Sequence, residues 1–207
     1  GASTYDWSRK LTNHKHIPDD PEQVLLHIWS ALEGGTKSHA PFNLLQFATV
    51  ADDGKPSVRT IVLRQFRRGP GELLFVTEAG SAKITQLRSN NHASLVGYDP
   101  ATWTQIRLLG QASVSHDEDE RLAQWNMLSS RIQRSFLPRP GSLKAEDQRS
   151  GEATIPGTRQ PVVPPAAFAL VKVTLFTVEL LDVSDEEHVQ FHFGRVDGTW
   201  AGERSLA

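Results

Sequence analysis

Apolar residues recur along this chain at two periods, and the points where one gives way to the other mark its elements. Val24, Leu25, Ile28 and Leu32 fall at three- and four-residue steps, which puts them on one face of a helix. Ahead of them, Asp20-Pro21-Glu22-Gln23 supplies an N-cap, a proline at the first helical position and a Gln three residues after the cap; Gly34-Gly35 closes the element. From Phe42 the period drops to two. Asn43 to Val50 reads as a strand, Asp52-Asp53-Gly54-Lys55 as a turn, and Ser57 to Phe66 as the returning strand of a hairpin. Arg67-Arg68-Gly69-Pro70-Gly71 breaks the pattern before a third strand, Leu73 to Thr77. Ser81 caps a short helix whose apolar side is Ile84 and Leu87. Two more strands follow, Ala93 to Tyr98 and Trp103 to Ser115, the second alternating Ile106, Leu108, Ala112 and Val114 with Gln105, Arg107, Gln111 and Ser113.

Helical spacing returns in Leu122, Trp125, Leu128, Ile132 and Phe136, behind an acidic first turn that suits the helix dipole, and predicts one helix over 118–136. Residues 138–165 are rich in proline and lack apolar periodicity, so they read as a long loop. The strands Phe168 to Asp182 and His188 to Arg195 come next, then Asp197-Gly198 and a short stretch around Trp200. The order β-β-β-α-β-β-α-β-β lacks the alternation of a parallel sheet. It predicts a single, mainly β domain over 1–207, an antiparallel barrel with peripheral helices around a core at 42–115.

Composition narrows the function classes. The 207 residues carry 22 basic and 24 acidic side chains, a formal charge of -2, which gives no reason to expect nucleic acid as a partner. With no cysteine there is no disulfide, thiolate metal site or thiol nucleophile, a composition that suits the cytoplasm. No apolar run reaches the ~20 residues of a membrane-spanning helix. Gly-x-Gly-x-x-Gly, the Walker loop, the Gly-x-Ser-x-Gly elbow and His-Glu-x-x-His are all missing. His14 with His16, and His188 with His192, are poor metal pairs, and Asp117 to Glu120 is a dipole-matched helix start, so no metal is expected.

Candidate chemistry concentrates in Arg59, Arg64, Thr77, Ser81, Lys83, Gln105 and Arg107, each on a strand or at a strand–helix junction. Ser81 and Lys83 open a helix just after a strand ending in Thr77, and free N–H groups at a helix start attract anions. A phosphate suits that junction.

The ordered motifs carry a resemblance. Gln46-Phe47-Ala48-Thr49-Val50, Gly54-Lys55-Pro56 and Val58-Arg59-Thr60-Ile61-Val62-Leu63-Arg64 resemble the opening of the pyridoxamine 5′-phosphate oxidase family. Phe75-Val76-Thr77, Gly80-Ser81-Ala82-Lys83, Asn90 to Leu95 and Thr104-Gln105-Ile106-Arg107-Leu108-Leu109-Gly110 are similar to its next motifs, in order. Leu44-Leu45-Gln46 and the run from Trp125 to Pro138-Arg139-Pro140-Gly141 are most similar to its FMN-binding-like branch. The resemblance implies a split β-barrel, a homodimer, and FMN held at the dimer interface. It implies that Arg59 and Lys83 meet the phosphate with Ser81, Val76 and Thr77 beside them. It also implies that Thr60, Ile61 and Val62 run along the isoalloxazine ring, and that Gln105 and Arg107 reach its polar edge.

The chain departs from the family in three places. Ala82 stands where a second basic residue is common. The Tyr, Arg and Ser that grip substrate phosphate have no match in the Trp125–Gln133 segment, although Arg64 can replace the family's Lys as a substrate contact. The C-terminal Arg-x-His-x-Arg signature is absent, its nearest stretch being Val189-Gln190-Phe191-His192-Phe193. The expectation is an FMN-dependent oxidoreductase for a small molecule, inefficient toward pyridoxine and pyridoxamine 5′-phosphate, with no catalytic side chain identified. A flavin carrier or sensor without turnover, or a split barrel using haem or deazaflavin, are the alternatives.

Overall fold

The structure, a computed structural model, describes residues 17–138 and 163–206. The first element is α1 (Pro21–Gly34), capped by the Asp20 carboxylate accepting from Glu22 N, and it buries Val24, Ile28, Trp29 and Leu32. Strands β1 (Leu44–Val50), β2 (Pro56–Val62), β3 (Gln65–Arg67) and β4 (Glu72–Glu78) precede α2 (Ala82–Ser89). Then come β5 (His92–Asp99), β6 (Thr104–Val114), α3 (Glu118–Met127), α4 (Ser130–Ser135), β7 (Phe168–Asp182), β8 (Val189–Val196) and β9 (Thr199–Leu206).

Among the described residues nine strands join one antiparallel sheet with the path β2-β1-β5-β6-β7-β4-β3, β8 and β9 extending from β7. The two ends of that path, β2 and β3, are consecutive in the chain. The sheet must therefore curl until its edges meet, which makes the expected barrel and leaves it split along one seam. The returning strand expected over Ser57 to Phe66 breaks at this seam: Leu63 N bonds Asn43 O, and Arg64 N bonds Leu74 O. Successive amides thus reach opposite edges of the sheet.

β7 pairs with β4 over its first half and with β8 over its second, and the switch coincides with a register shift against β6 at Leu109/Gly110. Glycine is required there, because a Cβ on Gly110 would lie 2.3 Å from Thr174 O. The C-terminal hairpin is longer than its sequence suggested: β9 pairs with β8 throughout, turning on Asp197 and Gly198, both at positive φ.

Two cores result. Inside the barrel, Phe47 meets Phe75 edge-on at 5.0 Å, among Leu45, Leu95, Leu108, Val178, Phe191 and Phe193. Helix α1 closes one end and α2 seats Ile84 and Leu87 on the same core. A smaller cluster on the back of β4 and β7 joins Leu74, Phe168 and Leu170 to Trp125, Leu128 and Phe136. The single helix expected over 118–136 is two, because Leu128 is extended (ψ 142°) and Ser129 caps a new start. That bend aims both Trp125 and Phe136 at the Phe168 ring, 5.3 Å from each. Most of the expected 138–165 loop, with His14 and His16, lies outside the described residues. Among the described residues no helix is long and apolar enough to cross a membrane.

A candidate anion cradle and the uncovered sheet face

Strand alternation turns Arg59 to the same side as its cross-strand partner Phe47, and its guanidinium sits over that ring at 5.9 Å. It donates to Thr49 Oγ1 (2.5 Å), Ser57 Oγ (2.7 Å), Ser57 O (3.1 Å) and Gln86 Oε1 (2.9 Å). From α2, Lys83 Nζ donates to Thr77 Oγ1 at 2.8 Å. Ser81 is the N-cap of α2, yet its side chain makes no capping bond, and its Oγ is buried without a partner. The first bond back to Ser81 O comes from Ile84 N, so the first-turn amides ahead of it point out of the helix start.

Every side-chain or carbonyl group bonded to the two cations is neutral. Among the described residues no carboxylate lies within ion-pair distance of either Arg59 or Lys83. Burial pushes both below their ordinary pKa values, and the nearby Arg59 charge pushes Lys83 down further. Glu78 acts on Lys83 only through space and offsets this in smaller measure, so two partly desolvated cations, an orphaned hydroxyl and a helix start converge without an ion-paired carboxylate. That arrangement fits a phosphate dianion.

The other sequence candidates are distributed differently. Ile61 is buried in the core, and Val76 packs its side chain against the second cluster, so only their backbones can face a ligand. Thr60 and Val62 lie on the outer face, Thr60 bonded to the Gln46 amide at 3.1 Å. Arg64 is half-buried at the seam, with its Nε lacking a partner and burial lowering its pKa. Gln105 and Arg107 also face outward, but from β6, three strand spacings or ~14 Å from β2. One chain does not bring them to the cradle. Arg107 is moreover ion-paired with Glu179 (3.1 Å), which also meets His192 Nδ1 (3.3 Å).

Val189, Phe191 and Phe193 do not occupy a ligand-facing row, because alternation turns Phe191 and Phe193 into the core, 0% and 1% exposed. The outward row is Gln190, His192 and Gly194, beside Ala201, Glu203 and Ser205 of β9. No Arg-x-His-x-Arg set stands there either. Thr49, Ser57 and Gln86 are cradle residues that sequence reasoning passed over. Their signals were a threonine on the apolar side of a strand and a glutamine three residues beyond Lys83, on the same stripe of α2.

Helices leave the outer face of β2, β1, β5 and β6 bare. Leu44 (59% exposed), Val58 (62%) and Tyr98 (47%) stand on it.

The family model described as pyridoxamine 5′-phosphate oxidase, FMN-binding domain, matches residues 26–116. A relative from Arabidopsis thaliana named pyridoxine/pyridoxamine 5′-phosphate oxidase 2 is 26% identical over 190 residues, 86% of this chain and 93% of its own. The crystal structure of a pyridoxamine 5′-phosphate oxidase-related, FMN binding protein from Nostoc punctiforme PCC 73102 superposes with a TM-score of 0.70 at 27% identity, covering 87% of this chain and 95% of that one. PhzG from Burkholderia lata 383, solved with tetrahydrophenazine-1-carboxylic acid, shares the fold at a TM-score of 0.65 and 23% identity over 92% of this chain and 94% of its own. Together with the split barrel and its ordered motifs, these matches support the superfamily of pyridoxamine 5′-phosphate oxidase-like FMN-binding split barrels as the one this chain resembles.

Proposed function

We propose that this chain binds FMN with its phosphate in the Arg59–Lys83 cradle and acts as an FMN-dependent oxidoreductase on a small molecule. The observation that carries the reading is the pair of half-buried cations with no ion-paired carboxylate. When bound, FMN supplies the hydride-accepting chemistry of its isoalloxazine ring. Arg59 and Lys83 hold the phosphate, and the Ser81 and Thr77 hydroxyls and the α2 start add donors. β2 is an edge strand, so the backbone groups of Thr60, Ile61 and Val62 on its free side are open to a flat polar ring, as is the Val76 backbone. Gln105 and Arg107 reach the ring from a second copy, because their own chain holds them ~14 Å from β2. The bare outer face, with Leu44, Val58 and Tyr98 exposed on it, supports such a homodimer. Arg64, with its unpartnered Nε, takes an anionic group of the substrate.

Titrations of FMN and riboflavin test the cradle. Arg59→Ala and Lys83→Ala should each weaken FMN by about 1.5–3 kcal/mol, with riboflavin much less affected. Equal losses for the two ligands would refute the phosphate assignment. On the substrate, the outward row of β8 and β9 offers Gln190, His192 and the acidic Glu203, a poor set for a phosphorylated vitamer. Pyridoxine and pyridoxamine 5′-phosphate should therefore turn over slowly. The Arabidopsis relative's name makes them the first compounds to assay, and aerobic turnover at about 1 s⁻¹ or faster would overturn this part of the reading.

A further inference from the structure

We infer that Gln86 is a positioning residue, which fixes the Arg59 guanidinium through a neutral acceptor and so preserves its full charge for a dianionic ligand. The inference rests on the cradle as the phosphate site.

Gln86 follows Lys83 by three residues on α2, so both side chains leave the helix on one stripe, Gln86 toward Thr49 of β1 and Arg59 of β2 and Lys83 toward Thr77 of β4. Its Oε1 accepts from Arg59 Nη2 at 2.9 Å and from Thr49 Oγ1 at 2.6 Å. Thr49, only 2% exposed, in turn accepts from Arg59 Nη1 at 2.5 Å. Ser57, the cross-strand partner of Thr49, takes one bond from each Nη. Both ends of the guanidinium are thereby tied to acceptors rooted in three different elements, which fixes the plane of the group.

The chemical type of that acceptor matters as much as its place. A carboxylate on the same stem would reach the same two donors and hold Arg59 just as firmly. It would also form a charge-assisted pair, cancelling one of the two positive charges that face the ligand. An amide supplies the geometry without the cancellation. Thr49 and Ser57 follow the same rule, as does Thr77 beneath Lys83. Neutral anchoring throughout is costly in the free protein, since two cations are held together in a partly dry site. It is the arrangement that an incoming dianion relieves.

The nearly isosteric exchange Q86E separates this role from plain packing. FMN and riboflavin are titrated into the apoprotein of wild type, Q86E and Q86L, and the thermal midpoint of each apoprotein is recorded. Q86E should lose FMN affinity by about tenfold or more, with riboflavin changed less than about twofold and the midpoint held or raised by the new ion pair. Q86L removes the anchor but adds no charge, so its loss of FMN affinity should be smaller. A structural role predicts the reverse order, because Q86E keeps the shape and the acceptor that Q86L discards. Wild-type FMN affinity in Q86E, or a larger loss in Q86L, overturns the inference. Wild type that prefers FMN no more than riboflavin overturns the phosphate reading as well, whereas a preference that survives Q86E overturns only the role of Gln86.

Discussion

Two cationic clusters, one at the start of α2 and one under α3, show what a counter-charge decides. In the cradle, Arg59 and Lys83 bond only to neutral groups. Under α3, Arg67 and Lys172 converge on Glu120, which accepts from Arg67 Nη1 (2.6 Å), Ser115 Oγ (2.6 Å) and Lys172 Nζ (3.1 Å). Burial alone would raise the Glu120 pKa, but those bonds outweigh it and bring the group down to about 2. Glu72 adds a second carboxylate 3.6 Å from Arg67, and Gln124 Nε2 ties α3 to Gln65 Oε1 at 2.7 Å. This second cluster is electrically complete and fastens a helix to the sheet. The first has no ion-paired carboxylate, which is what the proposed phosphate site requires. Burial and residue type are similar in the two places; an ion-paired carboxylate separates the structural fastening from the proposed binding site.

The largest effect expected from breaking this contrast is on ligand binding. The double variant Arg59→Ala/Lys83→Ala should lose about 3–5 kcal/mol of FMN affinity by calorimetric titration, while its apoprotein unfolds at an unchanged denaturant midpoint. A destabilised apoprotein would show that these cations fasten the fold after all. Glu120→Ala should do the opposite: about 1–3 kcal/mol of folding stability lost by urea titration, because Arg67 and Lys172 are left partly buried without their partner, and FMN affinity intact. A change in FMN affinity there would mean that the two clusters are coupled.

The barrel was legible because its strands alternate cleanly and its turns carry Asp-Gly pairs. The α1 boundaries were legible from their capping residues. The break at Leu63 and Arg64 was not, because Val62-Leu63-Arg64-Gln65-Phe66 stays β-like, and the break is imposed by closure of the sheet rather than by a local signal. The bend at Leu128 was hidden for a related reason: Trp125, Leu128, Ile132 and Phe136 keep helical spacing across it, since both short helices bury the same side. In the site, Arg59, Ser81, Lys83 and Thr77 stood out through ordered motifs. Thr49 and Gln86 are 37 residues apart, and only the packing of α2 on β1 joins them. Phe191 and Phe193 show the commonest limit of motif matching: a stretch can sit at the right place in the sequence while alternation turns its side chains into the core.

Acid should sharpen the contrast further, with a smaller effect. Glu120 is held at about 2 in the folded protein against an ordinary 4.5, so its contribution is fully present above about pH 4.5 and is lost as pH falls toward 2. In chemical-denaturation series at successive pH values, Glu120→Gln should be nearly level across that window relative to wild type. A parallel decline in both would assign the acid sensitivity to other carboxylates.

The smallest effect concerns the cradle without its ligand, and its sign is opposite. Lys83 has its pKa lowered by burial and then by Arg59, which together outweigh the opposing pull of Glu78, so in the folded protein the charged form is disfavoured relative to the unfolded chain. At neutral pH that charge opposes folding. As pH rises through the lowered folded value toward the ordinary 10.5, the unfolded chain holds more protons than the folded one, and stability contributed by this group increases. Lys83→Met should therefore leave the apoprotein as stable as wild type at pH 7, or more stable by less than about 1 kcal/mol, the scale of interactions between partly exposed charges. The advantage should shrink on the alkaline side and with added salt, which screens the repulsion from Arg59. Lys172→Met, which removes a partner of Glu120, should lose stability under the same conditions. If Lys83→Met costs as much as Lys172→Met, the cradle has a counter-charge of its own and the contrast between the two clusters fails.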